Sequence, residues 1–246
     1  MTHSKVAVVT GASSGIGAAC VSALSAAGFH VVCGARRVER LNQVARTAGG
    51  DAWPLDVADA ASVRAFCEHV PNINLLVNNA GGALGLDRVS DATDEDWQQM
   101  FDSNVLGLMR MTRELLPRLE QSGDGHVINI GSIAGREVYA GGSGYNAMKF
   151  GVRAITRALR VELLGKPVRV TEIVPGMVET EFSEVRFRGD KSRAAQVYAG
   201  LTPLTAGDVA DCVVWAATRP AHVNVDEIVV KPLAQASVTL AHRAPG

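Results

Sequence analysis

The side chains best suited to move a proton are Tyr145 and Lys149, which stand four residues apart in the stretch Tyr-Asn-Ala-Met-Lys. If this stretch is helical, both side chains project from the same face and can lie next to each other. A free phenol has a pKa of about 10, and a neighbouring cation lowers that pKa by favouring the phenolate. With Ser132 a short distance upstream, the pair predicts a general acid and base. Alone, the spacing also fits a tyrosine on a helix followed by a solvated lysine.

A glycine-rich turn follows the first apolar run of the chain, residues 6–9. Its glycines have the spacing G-x-x-x-G-x-G, and its residues of interest are Gly11, Ser13, Ser14, Gly15, Ile16 and Gly17. Glycines allow a tight turn in which backbone N–H groups approach a pyrophosphate, and the next helix points its positive N-terminus at that charge. An ordinary strand-to-helix turn is the alternative. The position between an apolar strand and an amphipathic helix favours a dinucleotide cradle, to which the serine hydroxyls add donors.

The end of the second predicted strand indicates which dinucleotide is bound. An acidic residue there usually holds the ribose 2′-hydroxyl of NAD. This chain instead reads Gly34-Ala35-Arg36-Arg37, with two guanidinium groups and no carboxylate. Arginine suits a phosphate through its fork of donors, so we predict NADP, with Arg36 as the first contact and Arg37 as support. Alternatively, one or both arginines are solvated at the start of a helix.

Short apolar runs alternate with helical patterns, as in a parallel sheet covered by helices on both faces. The predicted strands are residues 6–9, 30–34, 52–56, 73–78, 126–130, 168–173 and 225–230. The predicted helices are residues 15–27, 38–48, 62–69, 95–113, a further segment that reaches 119, 145–164 and 205–218. These patterns predict an α/β fold with a single domain over residues 1–246: a Rossmann-type, doubly wound parallel sheet of about seven strands, with ligands beyond the carboxyl ends of the strands.

Composition and charge argue against several classes of function. The net charge of −1 provides no electrostatic attraction for nucleic acid or for an anionic membrane. Residues 1–5 contain no apolar signal core, and no apolar run has the length of a membrane span. The 4 cysteines and 6 histidines are dispersed, without C-x-x-C pairs or H-x-x-x-H spacing. We therefore expect no catalytic metal, and a cytoplasmic protein with reduced thiols.

Together with further motifs, these residues resemble the short-chain dehydrogenase/reductase family along essentially the whole chain. The motifs are Thr10-Gly11-x-x-x-Gly15-x-Gly17, Leu55-Asp56-Val57, Asn78-Asn79-Ala80-Gly81, Asp102-Ser103-Asn104-Val105-Leu106-Gly107, Ser132, Tyr145-x-x-x-Lys149 and Pro175-Gly176. Each motif is modest alone, but they occur in family order and at family spacing.

The resemblance implies catalytic roles for four residues. Tyr145 gives a proton to the carbonyl oxygen in reduction, or takes one from the alcohol in oxidation. Ser132 hydrogen-bonds the same oxygen. Lys149 holds the nicotinamide ribose and lowers the pKa of Tyr145, and Asn104 positions a water that links Lys149 to solvent. The structural alternatives are that Ser132 caps a turn and that Asn104 distorts a helix.

The resemblance also implies which residues hold the NADP. They are Asp56 and Val57 beside the adenine, Asn79, Ala80 and Gly81 under the cofactor, and Val178 and Thr180, after Pro175 and Gly176, at the carboxamide and phosphate. A structural alternative exists for Asp56, which could cap the end of the third strand.

Three segments resemble one branch of the family, the NADP-dependent 3-hydroxy acid dehydrogenases, which oxidise serine, allo-threonine and related small hydroxy acids. These segments are residues 179–190, 79–86 and 219–224. Long loops beyond strand ends carry specificity, so we expect residues 178–204 to form a substrate lid.

A small acid substrate needs a cation for its carboxylate, and three arginines are candidates: Arg136, Arg186 and Arg188. Each of them could instead be a surface charge or a contact between subunits. The charged pair Arg136-Glu137 departs from the pattern of the branch, which leaves room for a bulkier or less polar carbonyl substrate.

Two other functions stay open, a broader carbonyl or β-ketoacyl reductase and a catalytically silent NADP(H) sensor. Members of the family usually form dimers or tetramers through the helix that carries the tyrosine and through the chain end. The apolar residues within 238–243 fit such a contact, so we expect a homo-oligomer, and a tetramer rather than a dimer.

Overall fold

The structure is a computed structural model that describes residues 5–244. The predicted lack of a signal segment therefore falls almost entirely on residues outside the described part. Seven strands form one sheet in which all neighbours are parallel, in the order β3-β2-β1-β4-β5-β6-β7. The strands are β1 (Val6–Thr10), β2 (His30–Ala35), β3 (Asp51–Pro54), β4 (Leu75–Asn78), β5 (Gly125–Ile130), β6 (Val168–Pro175) and β7 (Glu227–Val230).

Helices cover both faces of the sheet. They are α1 (Gly15–Ala26), α2 (Val38–Ala48), α3 (Ala60–Glu68), α4 (Asp94–Phe101), α5 (Gly107–Gln121), α6 (Ser143–Glu162), α7 (Phe182–Arg186), α8 (Lys191–Gln196) and α9 (Ala206–Ala217). A π-helical turn, Asp102–Leu106, joins α4 to α5, and a 3₁₀ turn, Ile133–Gly135, follows β5. Within residues 5–244, no helix is both long enough and apolar enough to cross a membrane.

The core has two layers because the central strands are apolar on both faces. One layer packs α1, α2 and α9 on the sheet, through residues such as Leu24, Leu41 and Val213. The other layer packs α3, α5 and α6 on the opposite face, through residues such as Phe66, Leu115 and Leu159. Near-continuous runs of branched apolar residues, such as Leu75, Leu76 and Val77 in the fully buried β4, are typical of parallel strands covered on both sides. The prediction of a doubly wound α/β fold is confirmed.

The order of the strands reverses between β1 and β4, which are neighbours in the sheet. The connection from β1 crosses one face of the sheet and the connection from β4 crosses the other, so a crevice opens at the carboxyl ends of these two strands. The glycine-rich turn follows β1, and the segment that begins with Asn79 follows β4. The fold therefore brings the predicted cradle and the predicted floor of the cofactor site to the same edge.

The helix predicted over residues 95–113, with a separate segment up to 119, differs from the structure in where it is interrupted. The interruption is the π-helical turn at Asp102–Leu106, and Pro117 lies inside α5. The cause is Asn104, whose side-chain amide donates to the carbonyl oxygen of Met100, four residues earlier. That carbonyl would accept the backbone N–H of Asn104 in a regular α-helix, so the side chain displaces one backbone hydrogen bond. The other predicted helices and strands agree with the structure to within a few residues, whereas α7 and α8, inside the segment expected to form a lid, were not predicted.

Candidate active site

A cavity of about 1540 Å³ lies at the carboxyl edge of the sheet, in the crevice between the loops that follow β1, β4, β5 and β6. It is larger than the pockets that typically hold one drug-sized molecule, of about 300–1,000 Å³. The predicted site residues that line it are Gly11, Ser13, Ser14, Gly15, Ile16, Arg36, Arg37, Asp56, Val57, Asn79, Ala80, Gly81, Ser132, Tyr145, Lys149, Pro175, Gly176, Val178 and Thr180. Two predicted residues, Gly17 and Asn104, do not line the cavity.

The glycine-rich turn is shaped by close backbone contacts. Gly11 has a φ of +66°, in the left-handed region that favours glycine. A Cβ at Gly17 would overlap the carbonyl oxygen of Gly11, so Gly17 serves the tight packing of the turn rather than a ligand contact. The first turn of α1 holds no acidic side chain, and Ser14 makes no side-chain cap to it. Its N–H groups and positive helix end therefore remain available for an anion, which fits the pyrophosphate of a dinucleotide.

The two arginines after β2 have different surroundings. Arg37 donates from Nε to Ser13 Oγ over 3.2 Å and from Nη2 to Ser14 Oγ, and its Nη1 pairs with Glu181 at 2.7 Å. Arg36 is exposed at the cavity wall and has no acidic partner among residues 5–244. The chain thus leaves one guanidinium free for a 2′-phosphate and ties the other into the cradle, which fits NADP at this end of the cavity.

The predicted adenine and floor residues are fixed by local hydrogen bonds. The Oδ1 of Asp56 accepts the N–H of Ala58 at 3.0 Å, so this carboxylate caps its own loop as well as lining the cavity. The Thr10 hydroxyl accepts the N–H groups of Asn79 and Ala80 at 3.0 and 2.9 Å. The floor after β4 is therefore locked onto the end of β1, the position that the doubly wound fold gives to a ligand.

Ser132, Tyr145 and Lys149 all line the cavity. Ser132 begins the 3₁₀ turn after β5, and its Oγ accepts the N–H of Ala134 at 3.1 Å, which leaves the hydroxyl proton free to be donated. Tyr145 lies in the first turn of α6, one turn before Lys149. The Nζ of Lys149 donates to the carbonyl oxygen of Ile130 at 2.9 Å and lies 5.7 Å from the centre of the Tyr145 ring.

The site is dry enough to shift both titrating groups towards their neutral forms. Burial raises the pKa of Tyr145, and Tyr139 adds to this, while the Ser132 hydroxyl and the Arg186 guanidinium lower the pKa. Burial lowers the pKa of Lys149 to about 8, and the carboxylate of Glu172 opposes this. In the cofactor-free protein, the cation that favours the phenolate is thus Arg186, and the predicted lowering of the Tyr145 pKa by Lys149 stays a prediction.

Asn104 is buried beneath the cavity rather than on its wall. Its Nδ2 donates to the carbonyl oxygens of Gly82 and Met100, at 2.9 and 2.8 Å. Its Oδ1 is buried and has no hydrogen-bond partner among the described residues, and it lies where a Cβ on Gly81 would stand. Asn104 therefore distorts the helix, as the structural alternative held, and also holds an unused acceptor beneath the cavity.

Arg186 is the candidate arginine that reaches the reacting end of the cavity. Its Nε donates to the carbonyl oxygen of Gly85 at 2.8 Å, and Gly85 in turn donates its N–H to the carbonyl oxygen of Arg186. Its guanidinium carbon lies 5.5 Å from the ring of Tyr139 and 5.8 Å from the ring of Tyr145. No acidic side chain pairs with it among residues 5–244, so its remaining donors are free for an anion beside the tyrosine.

The other two candidate arginines are neutralised elsewhere. Arg136 pairs with Glu227 at 2.8 Å, and Arg188 pairs with both oxygens of Asp96. Glu137, which follows Arg136, accepts the N–H of Val238 at 3.0 Å. None of these residues except Val238 lines the cavity. The pair Arg136-Glu137 therefore does not fill the substrate end, and it gives no reason to favour a bulkier substrate.

Four side chains of the site were not predicted from the sequence. Phe182 stacks at a tilt on Tyr145, with ring centres 5.5 Å apart, and Tyr139 packs against Arg186. Glu181 accepts a hydrogen bond from Arg37, and Glu172 lies buried behind Lys149. Only Glu172 left a signal in the sequence, since it is a carboxylate within a strand whose residues are all buried. Among the described residues there is no cluster of three or more possible metal ligands.

Comparison with known proteins defines the class. The model of the short chain dehydrogenase family matches residues 5–191, which is more than half of the chain. The protein therefore belongs to the short-chain dehydrogenase family of oxidoreductases, as its motifs indicated.

Individual relatives are similar over nearly the whole chain. An uncharacterized oxidoreductase of Mycobacterium tuberculosis H37Rv is 56% identical over 238 residues, 97% of this chain and 95% of the relative. The NADP-dependent 3-hydroxy acid dehydrogenase YdfG of Escherichia coli K12 is 42% identical over 237 residues, 94% of this chain and 96% of the relative. The closed form of a serine dehydrogenase complexed with NADP⁺ superposes with a TM-score of 0.92 at 41% identity, covering 97% of this chain and 99% of that one.

Proposed function

We propose that the protein is an NADP-dependent dehydrogenase of small 3-hydroxy acids, of the size of serine or allo-threonine. The observation that carries this proposal is the guanidinium of Arg186 beside the ring of Tyr145, which no carboxylate of the described residues neutralises. The names of two relatives, an NADP-dependent 3-hydroxy acid dehydrogenase and a serine dehydrogenase complexed with NADP⁺, support the same reading.

The cofactor would lie along the cavity from Arg36 to Tyr145. The helix end at α1 would hold its pyrophosphate, and Arg36 would hold the 2′-phosphate, with Arg37 bracing the serines of the cradle. The backbone of residues 79–81 and the segment from Pro175 to Thr180 would enclose its nicotinamide end. When bound, NADP supplies the hydride acceptor for oxidation and the hydride donor for reduction.

Tyr145 would handle the proton. In oxidation, its Oη takes the proton of the substrate hydroxyl while the carbon that bears this hydroxyl gives up a hydride. Ser132 retains a free hydroxyl proton and would donate it to the same substrate oxygen, which fixes the reacting carbon. Burial of the phenol makes its ionisation dependent on nearby positive charge, and Arg186 lowers its pKa in this structure.

Lys149 and Asn104 would connect this proton to solvent. The Lys149 ammonium uses one donor on Ile130 and has two more for the ribose hydroxyls of the nicotinamide. The unused Oδ1 of Asn104 would accept a hydrogen bond from a water in the path from Lys149 to the protein surface. The π-helical turn that presents Asn104 is a form of helix that occurs often at functional sites.

Arg186 would select for acids. Its Nε is held by Gly85, so the two terminal nitrogens have a fixed direction and can bind a carboxylate in a bidentate manner. In a 3-hydroxy acid, the carboxylate and the reacting hydroxyl are separated by two carbon–carbon bonds. Such a molecule can bridge Arg186 and Tyr145, whereas a neutral alcohol leaves the guanidinium unpaired.

The test is a substrate panel with NADP(H): serine, allo-threonine, 3-hydroxyisobutyrate, acetoacetyl thioesters and simple ketones. We expect turnover of the hydroxy acids. Arg186→Met should lower kcat/KM for them by about 10- to 100-fold, as expected for a lost hydrogen bond to a charged group, and should change the rate on neutral alcohols little. Arg188→Met is the matched control, because Arg188 lies on the same segment but pairs with Asp96.

The panel separates the alternatives. Preference for thioesters or ketones, with no effect of Arg186→Met, would replace the proposal by a general carbonyl or β-ketoacyl reductase. Tight NADPH binding without turnover of any substrate would indicate a silent sensor.

We further propose a homo-oligomer, a tetramer rather than a dimer, in the cytoplasm. Exposed apolar side chains on and after α6 (Phe150, Val161, Leu164) and near the chain end (Leu240) support contacts between copies of the chain. The free state of Cys20, Cys33, Cys67 and Cys212 suits a reducing compartment. Light scattering at several concentrations should return a tetramer mass.

A further inference from the structure

Glu172 is a buried carboxyl without a hydrogen bond. It lies in the middle of β6, is 1% exposed, and neither of its oxygens has a hydrogen-bond partner among the described residues. An isolated buried carboxylate is costly, so a buried carboxyl of this kind needs compensating charge nearby. The proposed mechanism gives Glu172 no role.

The carboxyl lies behind the proposed catalytic residues. Glu172 pairs in register with Asn129 of β5, whose amide donates to Thr156 of α6. Residues in register on neighbouring strands share a face of the sheet, so Glu172 faces α6, which carries Lys149. A Cβ on Gly131 would overlap Oε1 of Glu172, and Lys149 donates to the carbonyl of Ile130. Carboxyl and ammonium thus both lie next to the Ile130–Gly131 peptide bond.

Charged groups on α6, after the 3₁₀ turn and on β7 act on Glu172. Lys149 and Arg153 on α6 and Arg136 after the 3₁₀ turn lower its pKa, whereas Glu227 on β7 raises it. The arginines are already committed, because Arg136 and Arg153 both lie within salt-bridge distance of Glu227. Among the described residues, Glu172 is the one carboxylate that offsets the effect of burial on Lys149. Glu172 and Lys149 are therefore each other's remaining counter-charge.

We propose that Glu172 is a positioning residue that keeps the buried Lys149 protonated, so that the ammonium is present to hold the nicotinamide ribose next to Tyr145. This inference rests on the proposed role of Lys149 but not on the identity of the substrate. Burial alone lowers the pKa of Lys149, to about 8 even with Glu172 present, while burial and Glu227 raise the pKa of Glu172 to about 7. Without the carboxylate, burial would act on the ammonium unopposed and favour its neutral form.

The decisive measurement is a titration of Lys149 in the cofactor-free protein, by NMR of lysine labelled with ¹³C at Cε. The other lysines are Lys5, Lys166, Lys191 and Lys231, and none of them is buried, so the resonance of Lys149 is assigned by its loss in Lys149→Met. We expect Glu172→Gln to lower the titration midpoint of Lys149 by at least about one pH unit, because removal of an opposite charge at close range typically has this effect. An unchanged midpoint would overturn the proposal.

Three variants complete this titration. Glu172→Asp should restore the wild-type midpoint, and Glu162→Gln, an exposed carboxylate at the end of α6, should leave it unchanged. The reciprocal variant Lys149→Met should raise the pH at which the Glu172 carboxyl loses its proton, followed by its infrared carbonyl band, because the coupling between two sites is equal in both directions. This arm decides the question if Glu172→Gln does not fold, and a band that does not move would sink the proposal.

Kinetics provides a separate readout. If the hydroxy acids are substrates, Glu172→Gln should lower kcat for oxidation about twofold at pH 7 and about ninefold at pH 9, because lowering a midpoint of about 8 by one unit changes the charged fraction of Lys149 by these factors. The KM for the acid should stay the same, because Arg186 is unaffected. If no hydroxy acid is turned over, the proposed substrate fails, and the titration of Lys149 still tests Glu172.

Discussion

Glu181 accepts a 2.7 Å hydrogen bond from Arg37, whose guanidinium also donates to both serines of the glycine-rich turn. Arg40 binds the other oxygen of Glu181 at 2.8 Å. The proposed lid, residues 178–204, is thus tied by charge to the proposed cofactor cradle through Glu181, while Arg186 ties it to Gly85.

This link predicts that Glu181→Gln loosens the segment. The pair is exposed and so contributes little to global stability, about 0–1 kcal/mol, but its loss should increase local opening. We expect amide hydrogen exchange in residues 178–204 to become about two- to fivefold faster, and to fall again when NADP is added. Glu179→Gln, an exposed neighbour without an ion pair in the described structure, is the control. Equal exchange rates in Glu181→Gln and Glu179→Gln would show that the Glu181 ion pair does not hold the segment in place.

Arg36 should discriminate between the two nicotinamide dinucleotides. Its guanidinium lies at the cavity wall without an acidic partner in the described part of the chain, so Arg36→Ala should weaken NADP binding by about 10- to 100-fold and leave NAD binding almost unchanged. Isothermal titration with both cofactors measures this difference directly. The exposed Arg46→Ala on α2 should bind both as the wild type does. An equal loss for NAD and NADP would show that Arg36 does not hold a 2′-phosphate.

Asn104 should contribute to both stability and rate. Asn104→Ala leaves the carbonyl oxygens of Gly82 and Met100 without their donor, which should cost about 1–3 kcal/mol in the free energy of unfolding. In addition, kcat should fall while the KM for the cofactor changes little, because the proposed water path is lost. Ser103→Ala, in the same π-helical turn, should change stability less and leave kcat unaltered. A stable Asn104→Ala enzyme with full activity would contradict the proposed proton path.

His126 should make the protein less stable in acid. Its Nε2 lies 2.8 Å from Oγ1 of Thr171, which donates its own proton to Val225, so the imidazole is neutral with its proton on Nε2. Burial and Arg169 lower the pKa of His126 from 6.5 to about 3. Between these two pH values the unfolded chain binds a proton that the folded chain does not. The contribution of His126 to the free energy of unfolding is therefore full above pH 6.5 and is lost as the pH falls towards about 3. The loss is up to about 1.4 kcal/mol per pH unit.

The corresponding variant is His126→Gln, whose amide nitrogen can still donate to Thr171 but does not titrate. Denaturant unfolding between pH 4 and 7 should show a flatter decline of stability than in the wild type. His222→Gln, at an exposed histidine, should decline as the wild type does. Parallel curves for all three proteins would mean that His126 is not protonated on unfolding in this range.

The sequence predicted best those features that depend on the spacing of a few neighbouring residues. The period of Tyr145 and Lys149 and the glycine spacing after β1 depend on a few neighbouring residues, and both were found in the expected positions. The boundaries of α4 and α5 failed because the side chain of Asn104 took a backbone acceptor, a competition that hydrophobic periodicity does not register.

The choice among three arginines needed the tertiary structure. Arg136, Arg186 and Arg188 are the same residue type and all lie near motif residues. Only the groups that they bind in the folded protein distinguish them. Those partners, Glu227, Gly85 and Asp96, are distant in sequence. In the same way, the sequence shows Glu172 as a carboxylate within a predicted strand, but the ammonium that acts on it comes from α6.

The proposed role of Arg186 has a consequence for engineering the substrate specificity. The groups that handle the proton and the hydride follow strands of the sheet or lie on α6, whereas the guanidinium that would choose the substrate belongs to α7, a helix of 5 residues outside the sheet. Its anchor, Gly85, contributes only backbone atoms. On this reading, new acceptor molecules can be explored by grafting short segments around α7 from other members of the family, while the redox scaffold remains untouched.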